Sequence, residues 1–293
     1  MRTTPVKTRF APSPTGGMHL GNLRTALLNR LLAIRTGGVF CVRIEDTDRL
    51  RSDAAHDRAI LDDLAWLGLE PDEPVIRQSN RTGLYDGLYA RLEAEDLAYP
   101  CFCSQEELAL ARAAQRAAGR PPRYPGTCAG LDAEARGQRL RAGRRPTLRF
   151  RVPRGGEVVF EDAVKGRQRF ATDDLGDFII RRADGSAAFL FCNAVDDALT
   201  GIDVVLRGED HLTNTPRQLL LLAALGLPVP VYGHASTILG DDGAPLSKRN
   251  GSRTVAELRR EGLLPLAVLN YLARLGHGID DEGLLSATEL GAA

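Results

Sequence analysis

A short strand that breaks into a proline- and glycine-rich turn, enters an apolar helix and returns as a second strand fills the first 46 residues. That order restricts the chain to folds built on parallel βαβ units. Arg9-Phe10-Ala11 reads as the strand, and Pro12-Ser13-Pro14-Thr15-Gly16-Gly17 breaks it. From Leu20, apolar residues recur at Leu23, Leu27, Leu28, Leu31 and Leu32 with the helical period, and Gly37-Gly38 supplies the stop. Val39 to Ile44 then reads as a buried strand ending at Glu45-Asp46.

Helical patterning returns from Ala54 to Leu67 and from Thr82 to Leu97. Between Tyr99 and about Ala188 the character changes to a cysteine cluster, a polar helix, an arginine stretch and β-like pieces at Thr147 to Val152 and Glu157 to Phe160, so this segment reads as an insertion. A strand at Val204 to Leu206 and a helix from Pro216 to Leu225 restore the α/β pattern, and from Val255 the pattern is helical. With 293 residues, one large domain carrying an insertion or two domains are expected. No apolar run approaches the roughly 18 residues of a membrane span, and Met1 to Arg9 lacks the apolar core of a secretory signal, so a cytoplasmic protein is expected. The net charge of zero neither predicts nor excludes an RNA partner, but eight arginines and no carboxylate lie between Arg136 and Arg154.

The two commonest nucleotide signatures, Gly-x-x-x-x-Gly-Lys-Ser/Thr and Gly-x-Gly-x-x-Gly after a strand, are absent. The glycine-rich turn entering the helix at Leu20 offers another phosphate site, since free backbone N–H groups and the positive helix end meet there. His19 can donate to a phosphate oxygen, and Gly21 lets a nucleotide approach the backbone; a capping role for His19 is the alternative.

Four ordered motifs carry a resemblance. Arg9-Phe10-Ala11-Pro12-Ser13-Pro14-Thr15-Gly16-Gly17-Met18-His19-Leu20-Gly21-Asn22 resembles the ATP-binding signature of glutamyl-tRNA synthetases, a class I aminoacyl-tRNA synthetase family. Arg43-Ile44-Glu45-Asp46-Thr47-Asp48 resembles the next motif, and Val195-Asp196-Asp197 with Arg207-Gly208-Glu209-Asp210-His211 a third, extended by Asn214 to Gln218. Leu246-Ser247-Lys248-Arg249 resembles the mobile lysine loop. The resemblance implies activation of L-glutamate by ATP with Mg²⁺, then transfer to tRNA. His19 and Lys248 would be catalytic, and ATP would be bound by His19, Gly21 and Lys248. Glutamate would be held by Arg9, Ala11, Ser13, Glu45, Phe189, Asn193 and Arg207, with Arg9 and Arg207 as the candidate cations and Glu45 accepting the ammonium. Cys101-x-Cys103 with Cys128 resembles the zinc knob of the family's insertion, Tyr124 being the fourth ligand of a structural Zn²⁺ site.

The expected fold is α/β: a Rossmann-like doubly wound parallel sheet with an inserted α/β acceptor-binding subdomain and a short helical C-terminal segment. Its divisions are 1–98 and 189–251 for the catalytic domain, 99–188 for the insertion with the zinc knob, and 252–293 for the start of a stem-contact domain. A monomer is expected. The chain departs from the family at Phe189, where a tyrosine is usual, at Pro245, where the lysine loop has its first lysine, and at Asn250, which replaces a common aspartate. It also ends at Ala293 without room for an anticodon-binding domain. A truncated or divergent tRNA(Glu)-charging enzyme is favoured over two alternatives: a short glutamyl-queuosine tRNA(Asp) synthetase and an inactive tRNA-binding paralogue.

Overall fold

The computed structural model describes residues 4–48, 51–240, 243–244, 246, 253–276, 279 and 283–293. Lys248, Pro245 and Asn250 lie outside the described residues. The chain opens with β1 (Lys7–Phe10), α1 (Leu20–Thr36) and β2 (Val39–Ile44), followed by α2 (Ala54–Trp66), β3 (Ile76–Arg77) and α3 (Thr82–Ala94). Next come β4 (Ala98–Cys101), α4 (Gln105–Ala117), α5 (Ala133–Arg141), β5 (Thr147–Phe150), β6 (Glu157–Asp162), β7 (Gly166–Ala171), α6 (Thr172–Leu175) and β8 (Phe178–Arg181). The chain returns through α7 (Phe189–Leu199), β9 (Val204–Gly208), α8 (Thr215–Ala224) and β10 (Val231–Ala235), then α9 (Val255–Arg260), α10 (Pro265–Arg274) and α11 (Ala287–Ala292).

The central sheet has the order β10-β9-β1-β2-β3, and every pairing in it is parallel. Its inner strand β2 reads Val-Phe-Cys-Val-Arg-Ile and is buried over five of its six residues, as expected for a parallel strand covered on both faces. Leu23, Ala26, Leu27 and Ala33 of α1 pack on one face with Phe40, Ile44, Leu64 and Leu269. Each fully buried leucine there contributes about 1.5–3 kcal/mol. Gly37 closes α1 with a left-handed cap at φ 65°, where a side chain would be strained. From β1, the strands β2 and β3 run to one side and β9 and β10 to the other. In open α/β sheets, ligands bind at such a reversal, outside the carboxyl ends of the strands; here that is the crevice between β1 and β9.

The segment between α3 and α7 forms an antiparallel sheet, β4-β5-β8, and a hairpin, β6-β7. Tyr99 and Cys101 of β4 belong to a small buried cluster with Phe102, Tyr124 and Cys128, and the rest of the sheet shares a larger core. Phe150, Phe178 and Ile180 from it pack in one apolar cluster with Tyr85 and Tyr89 of α3, Phe191 and Val195 of α7, and Leu221 and Leu222 of α8. Sequence patterning gave no helix over α7, and burial explains why: Phe191 to Ala198 is buried without interruption, so no polar face marks the period. Among the described residues, no helix is long and apolar enough to cross a membrane.

Candidate active site

A cleft of about 810 Å³ opens at the carboxyl ends of β1, β2, β9 and β10. One wall is the turn before α1. His19 caps that helix, its Nδ1 accepting from the backbone N–H of Asn22 at 3.4 Å while Asn22 Oδ1 accepts from the N–H of His19 at 3.4 Å. His19 therefore caps the helix, the alternative reading of the sequence, and also lines the cleft. A Cβ on Gly21 would come within 3.2 Å of the imidazole, so the missing side chain there makes room for the His19 ring. Thr254 pairs with His19 across an isolated antiparallel bridge, and Val255 N–H donates to Met18 O at 2.9 Å. The segment beginning six residues after Lys248 is therefore fastened to the turn that carries His19.

The opposite wall is a buried network. Arg9 meets Asp197 through two bonds, Nε to Oδ1 at 2.9 Å and a terminal nitrogen to Oδ2 at 3.2 Å. Arg43 donates to Asp197 at 2.5 Å and to Glu45 at 3.1 Å. Glu45 also accepts from the Asn193 amide at 2.6 Å. Burial alone would push the Asp197 carboxyl up, but Arg43 and Arg9 hold it below the ordinary carboxylate range. For Glu45 burial prevails over Arg43 and Asn193, and its pKa is raised. Two guanidiniums thus face two carboxylates.

Arg207 breaks the balance. It is 5% exposed, and its guanidinium donates to His234 Nε2 at 3.1 Å, Asn193 Oδ1 at 3.3 Å, Thr215 Oγ1 at 2.8 Å and Gln218 Oε1 at 2.7 Å. All four partners are uncharged acceptors, and among the described residues no carboxylate forms an ion pair with it. Burial lowers its pKa to about 10, so it stays charged at neutral pH. A buried unpaired charge costs several kcal/mol, and an anion in the cleft would offset that cost.

Of the other expected site residues, Ala11, Ser13, Gly21 and Phe189 line the same cleft. The Phe189 ring lies 5.2 Å from the His211 ring, whereas Phe191 points away to Tyr85 and Tyr89. Burial brings His211 down to about 4, leaving it neutral. Sequence reasoning assigned no role to Arg43, Asp197, His211, His234 or Arg24, although all but His234 and Arg24 fall within the quoted motifs. Arg24 lines the cleft and donates to Ser236 O and Leu275 O, with no carboxylate partner among the described residues.

Away from the cleft, the Sγ atoms of Cys101, Cys103 and Cys128 lie within 4.8 Å of one another. The Tyr124 hydroxyl accepts from Cys101 at 3.3 Å and from the N–H of Cys128 at 2.9 Å, and it is 3.6 Å from Cys103 Sγ. A tetrahedral zinc with sulfur at about 2.3 Å requires sulfurs about 3.8 Å apart, and Cys103 and Cys128 are 3.6 Å apart. The donor set fits such an ion.

Residues 5–290 match the family model described as tRNA synthetases class I (E and Q), catalytic domain. The chain belongs to that family. It is 66% identical over 290 residues to glutamate–tRNA ligase 2 of Alkalilimnicola ehrlichii, covering 96% of this chain and 61% of the relative. It is 62% identical over 298 residues to glutamate–tRNA ligase 1 of Halorhodospira halophila, with 99% and 62% covered. The crystal structure of a glutamate tRNA ligase from Elizabethkingia meningosepticum in complex with its amino acid superposes with a TM-score of 0.89 at 33% identity, covering 98% of this chain and 64% of that one. The chain thus spans somewhat under two thirds of the length of these family members.

Proposed function

We propose that this catalytic domain activates L-glutamate with ATP to give glutamyl-adenylate and passes the acyl group to tRNA(Glu). The observation that carries the reading is Arg207, a buried cation with only neutral partners that lines the switch-point cleft. A dicarboxylic amino acid supplies the missing anion, and Arg207 can hold a carboxylate through paired hydrogen bonds. Glu45, which lines the cleft while bonded to Arg43 and Asn193, takes the substrate ammonium. Arg9 acts through Asp197, which it holds in place, and adds to the positive field of the pocket. Ala11, Ser13 and Phe189 complete the amino-acid walls.

The α-carboxylate of glutamate attacks the α-phosphorus of ATP and pyrophosphate leaves, so no enzyme nucleophile is needed. Catalysis rests on alignment and on donors aimed at charge developing on the phosphates. His19 is one such donor: with Nδ1 accepting from Asn22, the proton of the neutral ring sits on Nε2. Lys248 is the other, and Mg²⁺ accompanies ATP as part of the substrate. Residues 99–188 receive the acceptor end of the tRNA, with 1–98 and 189–251 as the catalytic halves and 252–293 as the start of a stem-contact domain. Cys101, Cys103, Tyr124 and Cys128 would hold a structural zinc that fixes the turn preceding α4. A cytoplasmic monomer is the state this reading implies.

Glutamate-dependent ATP–pyrophosphate exchange, with and without tRNA, tests the activity. Charging of tRNA(Glu) beside queuosine-containing tRNA(Asp), with periodate oxidation to separate ribose from base attachment, tests the acceptor. Lys248→Ala should lower exchange at least tenfold, since removing even one neutral donor aimed at developing oxyanion charge costs about 2.7–4 kcal/mol. Absence of exchange by the unaltered protein would remove the activity and leave a tRNA-binding module.

A further inference from the structure

Arg207 carries the charge of the pocket on a side chain with many rotamers, so its aim depends on its acceptors. Gln218, Asn193 and Thr215 each have an oxygen to offer. His234 does not have a fixed role, because a neutral imidazole presents either an N–H or a lone pair at Nε2. Its ring is fully buried, with Nδ1 2.5 Å from Asp162 Oδ2 and Nε2 3.1 Å from Arg207 Nε. An ionised Asp162 can only accept, so it takes the Nδ1 proton and leaves the Nε2 lone pair to the two groups that face it, the Arg207 Nε–H and the Thr215 hydroxyl, each at 3.1 Å. Asp162 is itself fixed, its Oδ1 accepting from the backbone N–H groups of Val164, Lys165 and His234 at 3.0, 2.8 and 3.1 Å.

Asp162 belongs to the inserted hairpin, where it ends β6. The hairpin turn is docked on the cleft from outside: Ala163 N–H donates to Tyr232 O at 2.8 Å, and Lys165 Nζ reaches Glu209 Oε2 at 2.5 Å and Ser236 Oγ at 2.9 Å.

We propose that Asp162 and His234 are positioning residues: Asp162 fixes His234 as its Nδ1–H tautomer, and the lone pair at Nε2 then aims the Arg207 guanidinium at the substrate carboxylate. This rests on the reading of Arg207 as the glutamate cation. Burial lowers the His234 pKa against the pull of Asp162, which favours the neutral ring that the arrangement requires. In Asp162→Asn the amide nitrogen occupies the Oδ2 place and donates to Nδ1. The ring proton then moves to Nε2 and faces the Arg207 N–H.

A long-range ¹H–¹⁵N spectrum of labelled protein reads the tautomer directly, the His234 signal being the one missing from His234→Gln. The expected result is Nδ1–H in the unaltered protein and Nε2–H in Asp162→Asn. In exchange assays with tRNA present, Asp162→Asn and His234→Met should raise the glutamate KM by about tenfold or more, the effect of one lost hydrogen bond to a charged group, with the ATP KM nearly unchanged. His234→Gln, whose Oε1 can reach the Nε2 position and accept from Arg207, should recover most of that loss. If the pair merely fastens the hairpin, the Gln and Met variants will be equally impaired, and that result overturns the proposal. An Nε2–H or doubly protonated ring in the unaltered protein overturns it without any variant having to fold. Absence of exchange by the unaltered protein removes the functional reading and the substrate half of the proposal with it, while the spectrum still decides the tautomer.

Discussion

The Arg207 end of the cleft buries three guanidiniums against two carboxylates that touch them, a third buried carboxylate, Asp162, reaching Arg207 only through neutral His234, whereas the cluster around Cys101 buries thiols and a phenol that bond to one another, to the backbone and to Arg149. Each shortfall defines a ligand. A buried guanidinium whose direct partners are all neutral suits an anion, and convergent thiols suit a cation. The two also differ in how they are assembled. The pocket draws on β1, β2, α7, β9, α8 and β10, so its charge balance exists only in the folded sheet. The thiols come from one stretch, Cys101 to Cys128, and meet when the chain folds back after α4. Damage to the pocket should therefore appear in substrate use, and damage to the thiols in local stability.

Arg207→Ala gives the largest expected effect. It removes a charged contact worth about 1.5–3 kcal/mol, or roughly 10–150-fold in glutamate kcat/KM, and ATP use should change little. An equal loss for both substrates would break the assignment. The paired change Cys101→Ser and Cys103→Ser should do the reverse: the glutamate KM is retained, and the zinc content falls from one per chain to none, with a lower Tm. Metal analysis of protein purified without chelator checks this, and the absence of zinc there would remove the contrast between the two clusters. A smaller effect concerns pH. Burial raises the Glu45 pKa above its ordinary 4.5, so this group adds to stability at low pH and that contribution is lost as pH rises through its folded pKa. Glutamate binding has the opposite sign, because only the ionised carboxylate pairs with the ammonium. The glutamate KM should accordingly rise on acidification from above pH 4.5, and Glu45→Gln should flatten that limb.

The same contrast explains what could be read in the sequence. The βαβ opening and the helices over α1, α2, α3 and α8 follow from period and punctuation, local properties that tertiary contacts reinforced. The pair Cys101 and Cys103 was legible from its spacing, while Cys128 and Tyr124 joined it through the resemblance. The positions of Arg9, Glu45, Asn193 and Arg207 came from the resemblance. Their partners could not be inferred from spacing, since Arg9 and Asp197 are 188 residues apart and Arg43 and Asp197 are 154 apart. Asp162 and His234 gave no signal at all: one sits in a segment that reads as an insertion, the other on a short strand, β10, that patterning did not show. The helix α7 stayed hidden because it buries its acids among its apolar residues.

The smallest expected effect sharpens the comparison within the pocket itself. Phe189 lines the cleft and its ring lies 5.2 Å from the ring of His211, which burial keeps neutral, so this wall is uncharged while the Arg207 wall carries a buried cation. Phe189→Tyr places a hydroxyl on the uncharged wall. Phe189 is only half-buried, so the hydroxyl can reach the cleft without being trapped unpaired in the core. One recovered hydrogen bond of about 0.5–1.5 kcal/mol corresponds to roughly two- to twelvefold in apparent glutamate affinity. Discrimination against analogues lacking the partner group should sharpen as well, because a site that hydrogen-bonds its substrate penalises a ligand that leaves the donor unmet. Glutamate-dependent exchange and Tm measured on the same variant separate the outcomes. Improved use at unchanged Tm places the ring beside the amino acid, whereas a lower Tm with unchanged glutamate kinetics means that the wall formed by Phe189 and His211 serves packing and that substrate contacts are confined to the Arg207 side.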